Sequence, residues 1–162
     1  MSFSNDVKNE LSRLETNEVC CDKAEVLGVL RMSGAIVIRG MNIGIHFSTE
    51  NAALARRVLQ ILKNNYQVQT EVVITRSRRL KKNNRYQVRV LRAPQVSIAM
   101  NELQLLSMES DLKNPLLNKQ CCKRAFLRGA FLGGGSISRP SSDYHLEMVT
   151  GNEDFARSII KV

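Results

Sequence analysis

Apolar positions along this chain alternate between a helical rhythm and a strand rhythm. A first amphipathic helix, capped by Ser4, carries Val7, Leu11 and Leu14 at 4,3 spacing. The stretch 20–32 holds Ala24, Leu27, Gly28, Leu30 and Met32 and has little polar character beyond Glu25 and Arg31, which predicts a buried helix ended by Gly34. The period then drops to two. Ile36-Val-Ile turns at 39–42 into Ile43-Gly-Ile-His-Phe47, whose Ile43, Ile45 and Phe47 share one face. Thr49 is placed to cap a helix over 51–64, with Leu54, Val58, Ile61 and Leu62 inward. A hairpin over 68–75 and 85–91 follows, with Tyr86, Val88 and Val90 on one face of its second strand and Arg85, Gln87 and Arg89 on the other. A helix after Pro94, carrying Val96, Met100 and Leu103, closes this unit, and 107–120 reads as a linker around Asn114-Pro115.

The pattern then starts again. Shifted by 101 positions, Cys20, Cys21, Ala24 and Gly28 fall on Cys121, Cys122, Ala125 and Gly129, and Gly34 and Ile36 fall on Gly135 and Ile137. The register holds through Thr49, Asn51, Ala55 and Arg56, which meet Thr150, Asn152, Ala156 and Arg157. A repeat of this length means two similar halves. Tyr144, Leu146 and Met148 accordingly align with the apolar face of Ile43, Ile45 and Phe47. Glycine in mid-helix costs up to about 1 kcal/mol relative to alanine, so Gly28 and Gly129 predict close approach of two helix backbones. The expected fold is α+β: two αββαββα halves, each with an antiparallel sheet covered by helices on one side. The first half spans 1–107 with the initial helix, 108–120 is the linker, and 121–162 is a truncated second half, as in an N-terminal piece of something longer.

Charge adds a location to this outline. The net charge is +9 over 162 residues, yet Arg76, Arg78, Arg79, Lys81, Lys82, Arg85, Arg89 and Arg92 contribute eight positive charges without a carboxylate between 75 and 92. Such a patch is the footprint of a polyanion binder; a solvated hairpin tip is the alternative. Aromatic residues make up 5%, which argues against stacking-driven recognition of single strands or RNA. The polar start lacks a signal peptide, no apolar run reaches the roughly 18 residues of a membrane span, and the paired cysteines do not resemble a secreted disulfide framework, so a cytoplasmic location is expected.

Other constellations are weaker. The two Cys-Cys pairs, with His46 or His145 added, invite a zinc site, but structural zinc favours Cys-x₂-Cys spacing and adjacent cysteines at a helix start should point apart. They are expected to pack as small apolar residues, with no metal and no cofactor. Gly133-Gly-Gly135 follows a helix and lacks the Lys-Ser/Thr of a phosphate loop, so it reads as a terminator.

Duplicated halves meeting through two glycine-bearing apolar helices resemble the LAGLIDADG homing endonucleases. Three stretches are similar to the WhiA regulators of Gram-positive bacteria: Thr49-Glu-Asn-Ala-Ala-Leu-Ala-Arg-Arg57, Leu80-Lys-Lys-Asn-Asn-Arg-Tyr86 and Lys119-Gln-Cys-Cys-Lys-Arg-Ala-Phe-Leu-Arg-Gly-Ala-Phe-Leu-Gly-Gly-Gly135. The resemblance implies a saddle-shaped sheet and a non-enzymatic, nucleoid-associated regulator of transcription, cell division, chromosome segregation and sporulation. It also implies duplex DNA as partner, with the transcription machinery or a partner regulator beside it, and no membrane or small-molecule substrate. A LAGLIDADG nuclease places an acid at the C-terminal end of each interface helix to hold divalent cations. Laid on that motif, 26–34 puts Ser33 there and 127–135 puts Gly134 there, a degenerate pair that implies lost cleavage. No Asp or Glu occurs between Glu25 and Glu50 or from Leu112 to Ser142. The DNA-binding residues expected are Arg76, Arg78, Arg79, Lys81, Lys82, Arg85, Gln87 and Arg89, with strand residues reaching bases and loop residues gripping phosphates. The open alternative is a protein-interaction module whose DNA contact lies in a C-terminal helix-turn-helix domain absent from this chain.

Overall fold

The computed structural model describes residues 2–15, 18–39, 42–76, 84–90, 94–103, 105, 113–141 and 143–162. Helices α1 (Phe3–Ser12) and α2 (Val19–Ser33) precede strands β1 (Gly34–Arg39) and β2 (Asn42–Thr49). Then come α3 (Ala52–Tyr66), β3 (Thr70–Arg76), β4 (Asn84–Val90) and α4 (Pro94–Leu103). A short 3₁₀ turn, Pro115–Leu117, leads to α5 (Gln120–Gly134), β5 (Gly135–Ile137), β6 (Leu146–Met148) and α6 (Glu153–Lys161).

The repeat is visible residue by residue. Helices α2 and α5 start and stop at positions 101 apart, and each runs directly into a strand. Asn51 and Asn152 cap α3 and α6, their side-chain oxygens accepting from the backbone N–H groups of Leu54 and Phe155. Thr49 and Thr150 stand one step further out, each accepting from the N–H of its asparagine, so threonine supports the cap that the sequence pattern assigned to it. At α1 the cap is Ser2, which accepts from Asn5 N–H. Ser4 is occupied elsewhere, exchanging two hydrogen bonds with the backbone of Ile137 and so fastening α1 to β5. Leu14 falls outside the helix and is exposed.

The mid-helix glycines are explained by contact. A Cβ on Gly28 would lie 2.2 Å from the Phe126 carbonyl oxygen, and one on Gly129 would lie 1.9 Å from that of Glu25. Helices α2 and α5 therefore touch backbone to backbone, the closest approach that a missing side chain permits. Their neighbours Ala24, Leu27, Val29, Ala125, Phe126 and Ala130 join one core that runs through both halves. Gly34 and Gly135 end the helices without a left-handed turn, since both have extended backbones. Crowding supplies the reason for glycine at both sites: a Cβ would sit 2.6 Å from Leu30 O at Gly34 and 2.3 Å from the Phe131 ring at Gly135.

Four strands form an antiparallel sheet in the order β1-β2-β4-β3, and β5 and β6 pair separately. Ile45 and Phe47 of β2 and Val88 and Val90 of β4 are buried, as the alternation predicts, with α3 and α4 packed on the sheet. In the second half Met148 is half-buried, but Leu146 and Tyr144 are exposed. The physical difference is that β2 lies between two strands, whereas β6 has only β5 beside it among the described residues.

Candidate nucleic-acid interface

Strand alternation builds the candidate surface. On β4 the side chains of Arg85, Gln87 and Arg89 take the face opposite the buried Val88 and Val90. The register sets Ser48 of β2 beside Gln87 and His46 beside Arg89. On the other flank, Thr75, Val73 and Glu71 of β3 stand opposite Arg85, Gln87 and Arg89. Arg85 is exposed, while Gln87 and Arg89 are half-buried. The Arg89 Nε donates to Gln87 Oε1 at 2.6 Å, which fixes the guanidinium along the strand and leaves the Gln87 amide nitrogen as its donor end.

The predicted DNA-binding set is only partly brought together. Arg85, Gln87 and Arg89 share one face, but Arg76 pairs with Asn84 at the hairpin's far end and alternates with Thr75 onto the opposite side. Arg78, Arg79, Lys81 and Lys82 lie outside the described residues. Glu71 is a member that sequence reasoning overlooked. Its signal was available, because period two from Thr75 through Val73 reaches Glu71 on the same face.

The two positions matching the nuclease acids meet at the C-terminal ends of α2 and α5. Ser33 Oγ donates to Gly133 O at 2.8 Å. A Cβ on Gly134 would meet the Met32 Cε at 2.9 Å and Val149 O at 3.1 Å. The donors available there are a hydroxyl already bonded across the junction and main-chain carbonyls, a set that does not fit a hard divalent cation seeking carboxylates.

Toward the other end of α2 lies an unforeseen ionic cluster. Glu25 is 1% exposed and accepts from Arg57 Nε of α3 and Arg128 Nε of α5. Arg57 Nη1 also donates to Ser12 O at 3.1 Å and Leu14 O at 2.6 Å, closing off the end of α1. Buried charges need such pairing. Glu25 and Arg57 are matched by Phe126 and Ser158 in the second half, and Arg128 by Leu27 in the first, so the cluster joins the two halves without being duplicated.

The cysteines do not point apart. The Sγ atoms of Cys20, Cys21, Cys121 and Cys122 all lie within 4.8 Å of one another, where α2 and α5 begin. Burial, and then the neighbouring thiols, push Cys21 up to about 11, and the same causes raise Cys122. Because the cysteines converge at one end and Ser33 meets Gly133 at the other, the two helices run side by side in the same direction.

The model of the WhiA N-terminal LAGLIDADG-like domain matches residues 19–106, and that of the WhiA LAGLIDADG-like domain matches 123–162. The chain belongs to the WhiA family. A probable cell division protein WhiA from Alkaliphilus metalliredigens is 40% identical over 167 residues, covering 98% of this chain and 53% of that protein. The chain spans about half the length of the WhiA relatives it matches. The crystal structure of the N-terminal LAGLIDADG domain of DUF199/WhiA superposes with a TM-score of 0.71 at 24% identity, over 99% of this chain and 72% of that one. The homing endonuclease I-WcaI bound to its DNA recognition sequence superposes with a TM-score of 0.58 at 13% identity, over 95% and 76% of the two chains. The WhiA domain here thus has a LAGLIDADG-like fold. Among the described residues no helix is long and apolar enough to cross a membrane.

Proposed function

We propose that this chain is a non-enzymatic duplex-DNA-binding domain of a WhiA regulator that acts on the nucleoid in cell division, chromosome segregation and sporulation. The observation that carries the reading is the shared face of Arg85, Gln87 and Arg89 on a strand within the basic segment 76–92. Gln87 and Arg89, held to each other, are suited to base edges, and Arg78, Arg79, Lys81 and Lys82 to phosphates. A homing endonuclease of the same fold is bound to DNA, which supports the choice of partner. Cleavage is not part of the proposal, because Ser33 and Gly134 supply no carboxylate and the Ser33 hydroxyl already bonds Gly133.

Fluorescence anisotropy of this chain with labelled duplex DNA tests the reading. Affinity should fall linearly with the logarithm of salt concentration, and charge reversal at Arg78, Arg79, Lys81 and Lys82 should weaken binding to every sequence. No binding at low salt would defeat it. Metal-dependent cutting that vanishes in the charge-reversed variant would defeat the non-enzymatic part. A protein-docking role has one observation behind it, the exposed Ile36 and Ile38 on β1 and Val72 and Ile74 on β3. Retained binding of a partner regulator by a chain that ignores DNA would favour that role.

A further inference from the structure

We propose that Cys20, Cys21, Cys121 and Cys122 bind one zinc ion that joins the N-terminal ends of α2 and α5. Zinc holds four thiolates at about 2.3 Å, and a tetrahedron of that radius spaces its sulfurs about 3.8 Å apart. The four sulfurs here already lie within 4.8 Å of one another, so side-chain rotation closes the shell while the helices stay in place. The cluster is too tight for a four-iron core, which would have to sit between the same sulfurs.

The spacing that argues against zinc within one segment works across two. Cys21 stands seven residues before Gly28 and Cys122 seven before Gly129, two helical turns from the contact on the same stripe. The glycine contact that brings the backbones together therefore brings these cysteines together as well, and Cys20 and Cys121 flank them. Cys21 and Cys122 are buried, Cys20 is half-buried and Cys121 is exposed, so an ion can enter from one side. Neither helix has a side-chain cap at its start. The uncapped first-turn N–H groups and the positive ends of both helix dipoles favour thiolates there.

Binding takes up Zn²⁺ and releases four protons, one from each thiol, leaving a tetrathiolate complex of charge −2. The Cys20 thiol now donates to Glu18 Oε2 at 3.3 Å, a bond that its proton gives up on metallation. The site is structural, since all four positions are protein sulfurs and none is left for substrate. It fixes the two halves together at the end of the helix pair remote from Ser33 and Gly134.

Cobalt(II) titration of the reduced, metal-free chain tests this directly. One equivalent should produce the near-ultraviolet thiolate charge-transfer and intense visible bands of tetrahedral tetrathiolate cobalt, and zinc should displace it. Zinc-loaded chain should resist thiol alkylation until a chelator is added. Cys20→Ser and Cys121→Ser lie toward the outside of the cluster. Each should lose charge-transfer intensity and weaken zinc binding by at least the 10–100-fold typical of disturbing a metal site's surroundings, with helical circular dichroism retained. The proposal fails if wild-type chain binds less than one equivalent, if the cobalt spectrum lacks the thiolate bands, or if alkylation is the same with and without zinc. Disulfides or a brown iron chromophore in protein purified anaerobically would overturn it too.

Discussion

Replacing Gly129 with alanine sets two physical effects against each other with opposite signs. For a solvent-exposed helix the change would stabilise by up to about 1 kcal/mol through backbone entropy. Here the new Cβ would stand 1.9 Å from Glu25 O and 2.8 Å from its carbonyl carbon. Ordinary contact begins at about 3.4 Å, so α2 and α5 must part by about 1.5 Å at the crossing. A gap of 0.5–1 Å already forfeits a quarter to a half of the dispersion well at each contact, and overpacking costs about 1–3 kcal/mol or more. The expected net loss is about 2 kcal/mol, or a fall in Tm of roughly 4–8 °C for a chain of this size. Thermal and urea unfolding followed by circular dichroism measure it. Gly28→Ala should behave alike, its Cβ meeting Phe126 O at 2.2 Å, and the double variant should cost less than the sum because the first substitution has already opened the seam. Gly151→Ala, with nothing within 4 Å of its Cβ, is the control and should stay within about 0.5 kcal/mol of wild type. A Gly129→Ala midpoint at or above wild type would refute backbone contact as the reason for these glycines.

Three further outcomes are expected. Glu25→Leu leaves the Arg57 and Arg128 guanidiniums without their shared carboxylate and should destabilise by about 3–5 kcal/mol, and adding Arg57→Leu and Arg128→Leu should recover most of it; urea midpoints measure both. Tyr66 is buried and its hydroxyl has no hydrogen-bond partner among the described residues, so Tyr66→Phe should stabilise by about 1 kcal/mol. Burial, and then Glu102, raise its phenol above the ordinary value of 10, so its contribution is intact below pH 10 and lost as pH climbs further; stability against pH should fall less steeply for the Phe variant. Arg85→Gln should lower the slope of log affinity against log salt by about 1, and Arg89→Gln should relax sequence preference, both read by anisotropy titration.

The frame of this protein was legible because it rests on period and repetition. The alternation through Ile43, Ile45 and Phe47, the stripes of α2 and α5 and the 101-residue shift each reflect local geometry that tertiary contacts reinforce. Caps were shifted by two positions, since Ser2 or Ser4, and Asn51 or Thr49, offer equivalent oxygens and only the surroundings decide between them. Ser4 is taken by Ile137, and Thr49 turns to support Asn51. The ion cluster was illegible for another reason. Glu25, Arg57 and Arg128 come from three helices, and nothing local in a lone acid on an apolar stripe names its partners. The cysteine cluster lay between these cases. Its ingredients, the glycine contact and the seven-residue spacing, were both in the sequence, but the expectation that adjacent cysteines diverge was formed within one helix, and the second helix supplies the facing pair.

The junction at the C-terminal ends of α2 and α5 is closed by its own bonds and packing. In a metal-dependent nuclease two carboxylates at adjoining helix C-termini repel each other and face the negative ends of both dipoles, a cost offset by the cation. Ser33 removes that conflict, because its hydroxyl donates to Gly133 O and ties the helix ends without any ion. Gly134 leaves room for Met32 and the Val149 carbonyl, both of which a side chain would displace. This closed junction needs no metal, and returning an acid at 134 would have to reopen contacts at 2.9 and 3.1 Å. The space and bonding capacity around Ser33 and Gly134 are taken up by packing, while the strand face that bears Arg85, Gln87 and Arg89 lies on a different element.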